Sequence, residues 1–228
     1  MKKVVVLTGA GVSAESGIKT FRDANGLWEG HDVMDVATPQ GWERNMELVL
    51  DFYNQRRRQL REVEPNAAHK ALKDLESSYD VHIITQNVDD LHERAGSTNV
   101  IHLHGELKKA RSTFDEDLIM DWEGDINVGD FCDHNHQLRP HVVWFGEAVP
   151  MMEKAIDTTM EADILIIIGT SMQVYPAAGL IDFISDDTPV YFIDPKPAID
   201  SQRNLTVYAE KASEGVPRVV EDLLKNAK

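Results

Sequence analysis

Short apolar runs recur along the chain, each followed by a polar turn. Residues 4–7 (VVVL) are the first, short enough for a buried strand. The run breaks at Thr8-Gly9-Ala10-Gly11, and residues 13–16 read as a helix start with Ser13 at the N-cap. Residues 41–63 carry Met46, Val49, Leu50, Tyr53 and Leu60 at helical spacing, which predicts one long helix. Pro65-Asn66 ends it and opens a second helix over 67–79, with Leu72 and Leu75 inward. Strands follow at 81–85 and 100–103, with Asp89 placed to cap a short helix between them. Further strands are predicted at 141–145, 163–168, 189–193 and 206–208. Helices are predicted at 151–160, 176–184 (proline in its first turn) and 216–227.

Strands that alternate with helices and are apolar on both faces predict an α/β fold: a Rossmann-like, mainly parallel sheet with helices on both faces. Residues 111–137 are acid-rich without a sustained period and read as a small inserted lobe. In parallel sheets ligands bind beyond the carboxyl ends of the strands. Five polar clusters fall there: 9–13, 86–89, 104–105, 169–171 and 194–195. Gly9, Gly11 and Ala14 fit the spacing of a dinucleotide-binding turn, although an ordinary strand-to-helix turn has the same composition. The second strand with an acidic end that such a unit requires is missing, because residues 18–30 are polar and broken.

The 228 residues, 42% hydrophobic and 27% charged, have ordinary globular composition. A formal charge of −16 argues against a general nucleic-acid binder and is compatible with basic or lysine-bearing partners. A single cysteine, Cys132, excludes an intrachain disulfide framework and a cysteine-rich zinc site. No run approaches a membrane span, and the N-terminal apolar run is too short for a signal peptide. The expectation is a cytoplasmic protein.

Seven stretches, in order, resemble the sirtuin family of NAD-dependent protein-lysine deacylases: GAGVSAESGI (9–18), FRDANGLW (21–28), PNAAH (65–69), TQNVDDLHERAG (85–96), HLHGEL (102–107), LRPHVVWFGE (138–147) and GTSMQVYPAAGL (169–180). The resemblance implies a Rossmann-like NAD domain from 1–30, 65–104 and 138–228, and a small lobe from 31–64 and 105–137. It implies that Gly9, Ala10, Gly11 and Glu15 line the pyrophosphate side, with Phe21 and Arg22 on a cofactor loop. Gln86, Asn87 and Asp89 would surround the nicotinamide ribose. Gly169, Thr170 and Ser171 would face the adenosine half, and Asp194, where the family often has Asn, the adenine ribose. His104 would be the catalytic base, a task suited to imidazole. His102, two residues earlier, reads as structural. The products would be free lysine, nicotinamide and O-acyl-ADP-ribose. Val142, Val143, Trp144, Phe145, Gly146 and Glu147 would run beside an acyl-lysine protein bound as an extended strand.

Two details bear on substrate and stability. Tyr53 and Arg56 lie on one helix face, and the resemblance makes a Tyr-x-x-Arg pair the mark of enzymes preferring malonyl- or succinyl-lysine. A guanidinium binds a carboxylate in two places and a phenol adds one hydrogen bond. By pattern alone, Tyr53 reads as a core residue and Arg56 as part of a solvated run with Arg57 and Arg58, and only the resemblance reverses this. Most sirtuins hold zinc in the small lobe with four cysteines. Here those positions fall near Ser112, Asp115, Cys132 and Asn135, so no metal is expected; Cys132, His134 and His136 are too crowded for the family's spacing. Packing of Phe114, Leu118, Ile119, Trp122 and Phe131 is then expected to hold the lobe. The alternatives are an NAD-dependent ADP-ribosyltransferase and a non-catalytic NAD or ADP-ribose binding module.

Overall fold

The computed structural model describes residues 1–19, 27–28, 30–197, 201 and 204–227. Its elements in order are β1 (Lys3–Thr8), β2 (Leu27–Trp28), β3 (His31–Asp32), α1 (Val33–Val36), α2 (Pro39–Arg44), α3 (Met46–Gln59), α4 (Ala67–Leu75), β4 (Asp80–Thr85), α5 (Leu91–Arg94), β5 (Val100–His102), β6 (Gly105–Ser112), β7 (Ile119–Asp121), β8 (Leu138–Val142), α6 (Met152–Met160), β9 (Ile164–Ile168), β10 (Val190–Ile193), β11 (Leu205–Tyr208) and α7 (Ala212–Asn226).

The apolar runs form one six-stranded sheet in the order β11-β10-β9-β1-β4-β5, with every pair parallel. Successive residues of a strand face opposite sides, so a run such as Val4 to Leu7 must be apolar throughout to serve two cores. Val4 and Val6 pack with Ile83, Ile166, Leu72 and Val219 on the side of α4 and α7. Val5 and Leu7 pack with Ile84, Ile167, Ala155 and Leu180 on the side of α6 and a 3-10 helix, Ala177–Phe183. The chain leaves β1 in one direction to β4 and β5, and returns on the other side with β9, β10 and β11. The strand order therefore reverses at β1, where a crevice opens.

A second, antiparallel sheet of order β7-β6-β8 carries the small lobe. The strand predicted at 141–145 lies instead at Leu138–Val142 and joins β6, so this stretch, assigned to the larger domain from sequence, pairs within the smaller sheet. The strand stops at Val142 because the next backbone N–H groups are drawn elsewhere: Val143 donates to the His104 carbonyl and Phe145 to that of Ala37, both at 2.9 Å.

Several expected elements change. The helix predicted over 41–63 is two, α2 and α3. Asn45 sits between them at φ −154° and its side chain accepts from Leu48 N–H, capping the second. The helix expected from Ser13 is replaced by two short 3-10 turns, Ala10–Val12 and Ala14–Ser16, and Ser13 makes no cap. α7 starts at Ala212, upstream of the expected 216, although Pro217 then falls inside it. The cause is tertiary: the Glu15 carboxylate, 198 residues away in sequence, accepts from the Ser213 N–H and hydroxyl at 2.9 and 2.7 Å.

The packing expected for the small lobe is also corrected. Phe114, Ile119 and Phe131 are 65%, 42% and 53% exposed. The buried group is Leu50, Ala110, Ile126, Cys132 and Leu138, with Leu118, Met120 and Trp122 against it. Polar side chains complete it. Asn54 brackets Ile126, donating to its carbonyl and accepting from its N–H, both at 2.9 Å. The Gln137 amide donates to the carbonyls of Asn127, Asp130 and Leu138, and its oxygen accepts from Gly129 N–H. Among the described residues no three His, Cys, Asp or Glu side chains gather as a metal site. Cys132 Sγ instead lies 3.3 Å from Ser112 Oγ, and His136 stacks on Phe114 with ring centroids 4.4 Å apart. Among the described residues no helix is long and apolar enough to cross a membrane.

Candidate active site

The turns after β1 and β9 touch at the point where the strand order reverses. Gly9 N–H donates to Ile168 O at 3.0 Å, and Gly11 N–H to Gly169 O at 2.8 Å. A Cβ on Gly9 would lie 2.8 Å from Gly169 O, and one on Gly11 would lie 2.6 Å from Gly169 Cα. Gly169 itself has φ +59°. The glycines are thus required by two turns in backbone contact, and they leave bare main chain facing the crevice.

Behind this cradle the ends of β1 and β4 are tied together by buried polar groups. Asn87 Nδ2 donates to Gly9 O and Ser13 Oγ, each at 3.2 Å, and Ser13 Oγ donates to Asp89 Oδ2 at 2.9 Å. Asp89 Oδ1 accepts from Leu91 N–H at 3.2 Å at the start of α5, near the expected cap. Burial pushes the Asp89 carboxyl up to about 6, in spite of these donors. Gln86 Nε2 donates to Thr170 Oγ1 at 3.3 Å, linking the ends of β4 and β9.

His104 follows β5. Its Nδ1 lies 3.0 Å from Gln86 O, which can only accept, so the proton is on Nδ1 and Nε2 keeps its lone pair. Among the described residues Nε2 has no protein partner. Burial lowers the pKa below the ordinary imidazole value, and the Gln86 bond only partly offsets this. His102 is held at both nitrogens, by Asn87 O at 3.1 Å and Glu93 Oε1 at 2.7 Å. Burial opposes its charge, but the Glu93 carboxylate outweighs burial and raises the pKa. The structural reading of His102 fits this pairing.

At the other end, Tyr53 and Arg56 project from α3. Tyr53 is fully buried, and Trp144 Nε1 donates to its hydroxyl oxygen at 3.0 Å. The Arg56 guanidinium lies 3.6 Å from the centroid of the Phe52 ring and donates to Phe52 O. Glu147, expected beside a guest peptide, turns its carboxylate to Arg139 at 2.6 Å, Arg111 at 3.2 Å and Trp144 N–H at 2.8 Å.

These groups share one cavity of about 770 Å³. Gly9, Ala10, Gly11, Glu15, Gln86, Asn87, Asp89, His104, Gly169, Thr170, Ser171 and Asp194 line it together with Tyr53, Arg56, Val142, Val143, Trp144, Phe145, Gly146 and Glu147. Phe21 and Arg22 lie outside the described residues. Lys19, Lys196 and Lys211 also reach the cavity and were not foreseen. Lys196, two residues beyond Asp194 and donating its N–H to Asp194 Oδ1 at 2.9 Å, was within reach of a search for cations after strand ends. Lys211 was not, since only the tertiary start of α7 brings it there. Hydrogen bonds run along the wall from Thr170 through Gln86 and His104 to Val143, and the next residue, Trp144, bonds to Tyr53. Backbone without side chains along the wall at Gly9, Gly11 and Gly169, lysines beside it and a free imidazole nitrogen suit a dinucleotide at the cradle end.

The sequence profile described as the Sir2 family matches residues 9–176. A protein of Helicobacter pylori named NAD-dependent protein deacylase is 63% identical over 196 residues, 86% of each chain. A crystal structure of a Sir2 homologue–NAD complex superposes with a TM-score of 0.87 at 38% identity, covering 100% of this chain and 91% of that one. A Sir2 bound to acetylated peptide gives a TM-score of 0.79 at 29% identity, over 96% and 92% of the two chains. With most of its length matched by the profile and its fold alike along the whole chain, this chain belongs to the Sir2 family.

Proposed function

We propose that the protein removes acyl groups from the lysines of other proteins in an NAD-dependent reaction. It takes acetyl-lysine and, through Tyr53 and Arg56, succinyl- and malonyl-lysine. The observation that carries this reading is His104: a neutral imidazole with a bare Nε2, in the same cavity as the glycine cradle and the Tyr53–Arg56 pair. The bound dinucleotide supplies an electrophilic ribose carbon once nicotinamide departs. Gly9, Gly11 and Gly169, which line the cavity without side chains, admit its backbone-hugging portion, and Lys19, Lys196 and Lys211 offset phosphate charge. Asn87, Asp89 and Ser13 hold the turn that faces the ribose. His104 Nε2 takes a proton from a ribose hydroxyl while its Nδ1–H stays on Gln86 O, which fixes the ring. The apolar walls around Val142 and Trp144 exclude water from the lysine stem. An incoming peptide meets a stretch whose N–H groups at 143, 144 and 145 are already used, so strand pairing draws on carbonyl oxygens there.

The test is mass spectrometry of acetyl-, malonyl- and succinyl-lysine peptides incubated with and without NAD. All three are expected to be deacylated only with NAD, with one nicotinamide released per lysine freed. His104→Ala should lower turnover by about a hundredfold or more. Acyl removal without NAD, or undiminished in His104→Ala, contradicts the proposal. Arg56→Met should lose desuccinylation far more than deacetylation; an equal loss of both removes the acyl preference.

A further inference from the structure

Trp144 lies on the acyl side of the cavity, and its contacts exceed what packing alone requires. An indole N–H can only donate, so in the 3.0 Å contact Tyr53 Oη is the acceptor. The Tyr53 proton is thereby left over. Among the described residues it meets no acceptor, although the side chain is fully buried and lines the cavity beside Arg56. Burial raises the Tyr53 pKa well above that of an ordinary phenol, so the hydroxyl keeps its proton across the working pH range.

The indole is itself clamped. The Arg139 guanidinium lies over its ring, 3.2 Å from the centroid. Glu147 takes Arg139 at 2.6 Å, Arg111 at 3.2 Å and the Trp144 N–H at 2.8 Å, so one carboxylate fixes both the backbone and the cation that covers the ring. All of these groups are buried or half-buried. A clamp of this kind stiffens the one indole N–H that touches the phenol.

We propose that Trp144 is a positioning residue for acyl-group selection: its indole N–H occupies one side of the Tyr53 oxygen and turns the phenol proton toward the carboxylate of a dicarboxylic acyl chain held by Arg56. This deepens the acyl-lysine reading given above and rests on it. A phenol without that partner rotates and spends part of its time donating elsewhere. A preset donor loses less freedom on binding. An acetyl group offers no carboxylate, so the arrangement discriminates between acyl chains.

The experiment is a double-mutant cycle of Trp144→Phe and Tyr53→Phe, with kcat and KM measured on matched succinyl- and acetyl-lysine peptides. Phenylalanine keeps a ring under Arg139 and deletes the N–H with part of the indole's bulk, and the Tyr53→Phe background separates the two losses. In the Tyr53 background, Trp144→Phe should lower the succinyl-to-acetyl ratio of kcat/KM on the order of tenfold, carried by KM of the succinyl peptide. In the Tyr53→Phe background, Trp144→Phe should leave that ratio unmoved. A ratio that falls equally in both backgrounds, or that does not fall in the first, overturns the proposal. Arg56→Met separates the two levels of reading. If it collapses the ratio while Trp144→Phe does not, the role of Trp144 alone fails. If neither the wild type nor Arg56→Met shows any succinyl preference, the acyl reading fails and this inference falls with it.

Discussion

His69, fully buried in α4, accepts from Asn66 N–H at 3.3 Å through Nδ1 and lies 4.8 Å from the ring of His92. Burial lowers its pKa to about 4, whereas an unfolded histidine titrates near 6.5. Between these values the unfolded chain binds more protons than the folded one, so stability falls as pH falls through that window. For His69 alone this amounts to on the order of 3 kcal/mol. Asp89, with its pKa raised to about 6, acts in the opposite sense, but it is common to wild type and variant and cancels in their comparison. Urea unfolding should therefore show His69→Gln less stable than wild type at pH 7.5, with the gap narrowing at pH 5; a gap independent of pH contradicts this. Residue identity also shows where pattern stops. Arg56, Arg57 and Arg58 are indistinguishable in the sequence. Helix geometry sends the first to the cavity, the second into the lobe on Leu107 O and Asn54, and the third to solvent beside Asp51 and Asp125. The same geometry lets Tyr53 be both a core residue, as its apolar stripe indicates, and a cavity residue.

Among the elements, the strands of the six-stranded sheet were the most legible, since a run apolar at every position leaves little choice but a strand covered on both faces, whereas β2, β3, β6 and β7 were not foreseen. The turns were legible in composition but not in purpose. Gly9 and Gly11 fit a phosphate-binding spacing, yet their N–H groups are bonded to the β9 turn. What demands glycine is the other turn, packed against them. Gly11→Ala should accordingly destabilise the protein by about 2–4 kcal/mol and weaken NAD binding together with it. Gly124→Ala, at a position with nothing within 4 Å of a new Cβ, should be close to neutral. Chemical denaturation of both variants checks the pair; a neutral Gly11→Ala means that the two turns can part without cost. Helix ends were the least legible elements, because Asn45 and Glu15 act as caps through contacts that hydrophobic period does not register.

For the whole molecule, the formal charge of −16 bears on the proposal that the cavity takes another protein's lysine. Peptides with basic flanks should be steered toward it, so their kcat/KM should fall as ionic strength rises from about 20 to 300 mM, while acidic-flanked peptides stay level or improve. Identical salt dependence for both kinds of flank contradicts steering. The sequence by itself determined the sheet, the two covered faces and the strand-end clusters, because alternation and run length report on burial wherever the chain goes. It determined the acidic charge and the residue types at those ends as well. Only the tertiary structure decided that clusters up to about 180 residues apart share one cavity, that Glu15 starts α7, and that Trp144 meets Tyr53. Those contacts join positions whose separation along the chain carries no periodic signal, so they exist only once the strand order and the lobe have brought them within hydrogen-bond reach.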